Sequence, residues 1–159
     1  MTIQKKPAPG EELLICLDTL VTVRLPASAG EDRISVIEHR MPYGSKTPMH
    51  IHRNEDEVFH VLEGTMRFRI EGEDTVAHSG QIVMVPKGVM HAFRVESVAG
   101  ARCLTITTRG DFERMLREMA RPARSAELMP YVEPSLQVQQ ALAMACGRNG
   151  IDIVGPPIA

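Results

Sequence analysis

The stretch Gly44-Ser-Lys-Thr-Pro-Met-His50-Ile-His52-Arg-Asn-Glu-Asp-Glu57-Val-Phe-His-Val-Leu-Glu-Gly64 decides how this chain folds. Its second half is a short run rich in β-branched and aromatic residues, and glycines punctuate both ends. On a strand, residues two apart point to one face, so His50 and His52 can aim two imidazoles at one point. Glu57 brings a carboxylate from the next turn or strand. Further along, Gly80-Gln-Ile-Val-Met-Val-Pro86-Lys-Gly88-Val-Met-His91 carries a third imidazole just past a tight turn. Three imidazole nitrogens and one carboxylate suit one divalent first-row transition metal, Fe, Ni, Co, Mn, Cu or Zn.

The same texture extends outward on both sides. Strand-like runs are read at Leu13–Leu17, Leu20–Leu25, Arg33–Met41, Val58–Leu62, Thr65–Ile70, Ile82–Val85, Ala92–Val95 and Arg102–Thr107. Turn residues separate them, as at 29–32, 42–44, 71–74, 79–80 and 86–88. Many short strands with regular turn signals point to an all-β sandwich or barrel rather than a parallel α/β sheet. Met66, Phe68 and Ile70 alternate with Arg67 and Arg69, and His91, Phe93 and Val95 oppose Arg94 and Glu96. Such strands have one dry and one wet face. After Gly110 the period becomes helical. Asp111 is read as the cap of a helix through Phe112, Met115, Leu116 and Met119 that Pro122 stops. Ser135 is read as the cap of a second helix, Leu136 to Ala145, ended by Gly147. The division expected is a tail at 1–10, a barrel at 11–110 and a helical extension at 111–159, packed on the barrel or on a partner subunit.

With 159 residues, 43% of them hydrophobic and 24% charged, the chain fits one domain with a real core. A net charge of −2 gives no general attraction to nucleic acid or anionic membrane. No run approaches the roughly 20 apolar residues that span a bilayer, and the start lacks a signal-peptide pattern, so a cytoplasmic location is expected. Cys16, Cys103 and Cys146 form no C-x-x-C pair and read as small buried apolar residues.

The pattern Gly44-x5-His50-x-His52-x4-Glu57-x6-Gly64 resembles the first cupin motif at every defining position, and Gly80-x5-Pro86-x-Gly88-x2-His91 resembles the second. The second motif usually closes with asparagine where this chain has Val95. Residues 65–79 match the short spacing of single-domain bacterial cupins. The resemblance implies a double-stranded β-helix, or jelly-roll, barrel, usually homodimeric, with His50, His52, Glu57 and His91 as metal ligands at its wider end. The strings His52–Phe59 and Ile151–Pro157 look like single-domain cupins related to quercetin dioxygenases.

That likeness implies a metal-dependent dioxygenase acting on a flavonol-like or other enolisable small molecule, with Glu57 both ligand and catalytic base. A non-oxidative lyase or isomerase and a non-enzymatic small-molecule-binding module remain open alternatives. Met66, Phe68, Met84 and Phe93 are candidates for the pocket wall, with plain core packing as the competing reading. His39 reads as a surface residue, His60 as facing away from the metal, His78 as solvated beside the Ser79-Gly80 turn, Glu55-Asp56 as a solvated acidic loop, and Arg67 and Arg69 as outward strand charges.

Overall fold

The computed structural model describes residues 11–159, so the expected tail at 1–10 lies outside the described residues. Twelve strands and two α-helices follow in order: β1 Leu13–Cys16, β2 Thr19–Leu25, β3 Ser35–Met41, β4 Met49–His52, β5 Glu57–Glu63, β6 Thr65–Ile70, β7 Glu73–His78, β8 Ile82–Val85, β9 His91–Val95, β10 Ala101–Thr107, α1 Asp111–Met119, β11 Arg121–Pro122, α2 Leu136–Arg148 and β12 Ile151–Gly155. The strands form two antiparallel sheets, a seven-stranded one ordered β11-β1-β2-β3-β10-β5-β8 and a five-stranded one ordered β12-β4-β9-β6-β7. This is the all-β jelly-roll barrel, with a short helical segment after residue 110.

The barrel core fills from both sheets. Met41, Phe59, Val61, Met66, Phe68, Val85 and Val95 are all buried in one cluster, each from the inward positions of its strand as period-two alternation requires. Val95, which stands where the second motif usually has asparagine, pairs with Met66 and packs in this core. A second cluster joins Val21 and Ile37 to Met115, Leu116, Ala145, Cys146 and Ile151, so the two helices close one end of the barrel with their apolar faces.

The C-terminal segment contributes more than helices, because β12 pairs with β4 and becomes an edge of the five-stranded sheet. Two helix ends differ from their sequence reading. Gly110, in left-handed backbone, is the N-cap of α1, and Asp111 is its first residue, ion-paired to Arg114. Ser135 does cap α2, accepting from Val138 N, but α2 runs through Gly147 to Arg148. The turn that ends it uses Gly150 at φ 75°. Beside Gly150, Asp111 Oδ2 accepts a 3.2 Å hydrogen bond from Asn54 Nδ2, which ties this corner to the β4–β5 loop.

Candidate metal centre

Register brings the four motif residues together. His50 on β4 lies directly opposite His91 on β9, and His52 shares the face of His50. Glu57 begins β5 in the other sheet, paired with Thr107 on one side and Val85 on the other. The centre thus spans the two sheets, three imidazoles from one and the carboxylate from the other. One donor atom from each of His50, His52, Glu57 and His91 lies within 4.8 Å of all the others.

Each imidazole is held from behind. His50 Nδ1 donates to Pro48 O at 2.8 Å, and His91 Nδ1 donates to Val89 O at 3.0 Å. His52 Nδ1 faces Glu55 Oε1 at 2.9 Å. These contacts leave the three Nε2 atoms for the centre, the tautomer a metal-binding histidine needs. Glu57 Oε2 sits 2.9 Å from His91 Nε2 and 3.0 Å from His52 Nε2. The second contact is close enough for an ion pair but off the direction of a hydrogen bond, and His52 Nε2 is a buried nitrogen without such a partner among the described residues. Inward-facing nitrogens and a carboxylate oxygen that crowd one point fit a single first-row divalent cation.

Burial governs the electrostatics. It pushes the His50 imidazole down to about 3, helped by the neighbouring His91, against the pull of Glu57. At His52 burial also acts downward, but Glu57 and Glu55 outweigh it and push that imidazole up to about 10. Burial alone would raise the Glu57 carboxyl; His52 and His91 reverse that and hold it well below the usual carboxylate range.

Several residues sit differently from their sequence reading. His39 is 7% exposed, not a surface residue. It stacks on Phe112 at 5.7 Å with the rings 9° from parallel, and burial brings it down to about 4 against Glu57 and Glu38, so it is neutral at pH 7. The mixed pattern of β3 misleads because both of its faces are covered. The outer face holds Glu38, bonded to Arg24 Nη2 at 2.5 Å and to Arg102 Nη1 at 2.8 Å. Glu55 is 1% exposed rather than solvated, accepting from Phe112 N as well as meeting His52. Nothing in the acidic string marks which carboxylate turns inward, because α1, which covers it, lies more than fifty residues later.

Met84 is 48% exposed and points out of the barrel, whereas Val83 and Val85 point in. The run Ile82-Val-Met-Val has no polar residue to mark its outer face. Met66 and Phe68 are fully buried core residues. Phe93 lines a cavity of about 110 Å³ that reaches His50 and Glu57. Phe59, two residues beyond Glu57 on the same face, lines it too, a position the period-two argument could have supplied. Phe112, Met115 and Leu142 close it from the helices. His60 and His78 face away from the centre, and Arg67 and Arg69 pair outside with Asp74. All three cysteines are free and buried.

A two-sheet jelly-roll barrel with three histidines and a glutamate converging at one end defines a cupin-type domain with a candidate metal centre. The comparisons agree: residues 37–107 match the cupin domain family. It is 28% identical over 88 residues to quercetin 2,3-dioxygenase of Bacillus subtilis, a match covering 55% of this chain but only 26% of that enzyme. A solved structure of a predicted oxalate decarboxylase from Thermotoga maritima superposes with a TM-score of 0.58 at 17% identity, over 68% of this chain and 98% of that one. A sugar phosphate isomerase from Silicibacter pomeroyi superposes with a TM-score of 0.51 at 25% identity, over 58% and 60%. Among the described residues no helix is long and apolar enough to cross a membrane.

Proposed function

We propose that this cupin is a metal-dependent enzyme that binds an enolisable hydroxy-carbonyl compound and oxidises it with dioxygen. The observation that carries the reading is the position of Glu57, a member of the candidate ligand set that also lines the cavity beside it. A divalent cation bound by the four residues would supply a positive charge that favours an enolate over its parent hydroxy-ketone. Glu57 has a second oxygen with which to take the substrate's hydroxyl proton, the step that prepares an enolate for oxidation. Phe59, Phe93 and the helix residues Phe112 and Leu142 give the cavity around it an apolar lining. Dioxygen is the oxidant: both of its atoms enter the products and one carbon–carbon bond breaks. The sequence likeness to quercetin 2,3-dioxygenase supports the oxidative form.

The 25%-identical isomerase supports a second reading, a proton transfer at the same carboxylate without dioxygen. Oxygen consumption by the metal-loaded protein separates the two. Uptake matched to substrate loss supports the oxidative form; turnover unchanged under argon establishes the isomerase form; saturable binding without turnover leaves a binding module. Under either enzymatic form Glu57→Gln should keep part of the metal affinity and lose turnover, by about 100-fold or more. Full activity in that variant would remove the base role. A small-molecule partner and a homodimer belong to the same proposal, and light scattering would read the latter as twice 17.6 kDa.

A further inference from the structure

The cavity in front of the centre is small. About 110 Å³ is free in it, and the neighbouring pocket behind Phe112 and Leu142 holds only about 80 Å³ more. Sites for drug-sized ligands run from about 300 Å³ upward, and an apolar cavity of about 150 Å³ holds one benzene. Nor can the space grow cheaply by lifting α1, whose first turn is fastened to the barrel. Phe112 N donates to Glu55 at 2.9 Å, and Glu113 Oε1 accepts from Ser35 Oγ at 2.8 Å and Ala27 N at 2.9 Å.

Two polar atoms in this wall have nothing to bond. Asp18, in the β1–β2 turn, has its Oδ1 engaged by Ser45 Oγ and Thr19 Oγ1, both at 3.1 Å. Its Oδ2 is buried with no hydrogen-bond partner among the described residues. His39 Nε2 is in the same condition, on a ring fixed by its stack against Phe112. Both residues line the cavity that Glu57 and His50 line. Buried polar atoms are nearly always satisfied, so a pair left open in one small cavity calls for a ligand or ordered water.

We propose, on the basis of the metal-dependent reading above, that the substrate is a compact hydroxy-carbonyl compound of about six heavy atoms or fewer, gripped by Asp18 and His39, and not a flavonol. The carboxylate Oδ2 takes a hydroxyl of the substrate as donor. The neutral His39 ring meets a second oxygen, and the enolisable pair turns toward Glu57 and His50. Asp18 and His39 are therefore specificity-determining residues of this site.

The test uses the whole chain loaded with cobalt(II), whose visible absorption reports a change at the centre without turnover. Hydroxyacetone and 3-hydroxyflavone are titrated into wild type, Asp18→Asn and His39→Phe. Asparagine replaces the free acceptor with an amide donor, and phenylalanine keeps the stack on Phe112 while removing Nε2. Hydroxyacetone should perturb the wild-type spectrum saturably and the flavone should not. Both variants should take up cobalt as wild type does and bind hydroxyacetone about tenfold more weakly. Cobalt protein that binds the flavone as tightly as hydroxyacetone, or does not bind hydroxyacetone, overturns this inference and leaves the metal-enzyme reading standing. Equal hydroxyacetone affinity in all three proteins overturns the grip. Wild type that takes up no cobalt overturns both readings together.

Discussion

At the scale of single residues, the three imidazoles of the centre are all held through Nδ1, but by different acceptors. His50 and His91 donate to the carbonyls of Pro48 and Val89, whereas His52 faces the buried carboxylate of Glu55. A carboxylate behind an imidazole raises its basicity and fixes its ring, and losing such a partner typically costs 10–100-fold in metal affinity. Glu55→Gln should therefore weaken metal binding by about that factor in a chelator competition; an unchanged affinity would reduce Glu55 to an anchor for α1. On the outer face Glu38, between Arg24 and Arg102, has its carboxyl held below the usual value: burial opposes, but the two guanidiniums prevail. A depressed folded-state value means that the stabilisation is complete above the unfolded carboxyl's pKa of about 4.3 and disappears as pH falls through the folded value. Glu38→Gln should lower stability at neutral pH by about 3 kcal/mol, since it leaves Arg102 underpaired, and urea melts from pH 7 to pH 3 should show a shallower acid loss than wild type. That His50, His52, Glu57 and His91 converge was legible because a strand's period of two and the glycine spacing act locally. Glu55, Glu38 and His39 were not, since what buries each of them arrives from distant sequence.

At the scale of elements, the β5–β6 hairpin shows how a motif glycine works. Gly64 has φ 85°, and a Cβ there would stand 2.4 Å from Gly100 O and 3.0 Å from Ala101 Cα. The left-handed backbone and the close approach of the Gly100 turn both demand glycine. Gly64→Ala should destabilise the fold by about 1–3 kcal/mol, read as a lower urea midpoint with an unchanged slope; a neutral result would mean that the Gly100 turn yields freely. Strands with one dry and one wet face, such as β6 and β9, could be read from alternation within a residue or two. The β7 strand could not, because it is a sheet edge with Ala77 as its one buried side chain, and its start resembles an acidic turn. The short β4 has only Met49 and Ile51 as apolar residues, its other two, His50 and His52, being committed to the site. The β12 run was visible as apolar, but only pairing with β4, a hundred residues earlier, makes it a sheet edge.

At the scale of the molecule, the centre is a tie between the two sheets. His50, His52 and His91 belong to the five-stranded sheet and Glu57 to the seven-stranded one, and α1 rests on both through Phe112 and Met115. A cation that binds only when these pieces are assembled stabilises the folded chain by mass action, about 2.7 kcal/mol at a hundredfold excess over its dissociation constant. For a chain of this size each kcal/mol corresponds to about 2–4 °C in melting temperature. Chelator-stripped protein should therefore melt roughly 5–10 °C below the same protein with metal restored, and His50→Ala should show almost none of that difference. The shift should appear as one transition, because the ligands draw on both sheets. If the metal-dependent shift were confined to an early, partial transition, the centre would be fastening only the helical end, and the barrel would hold its shape without it.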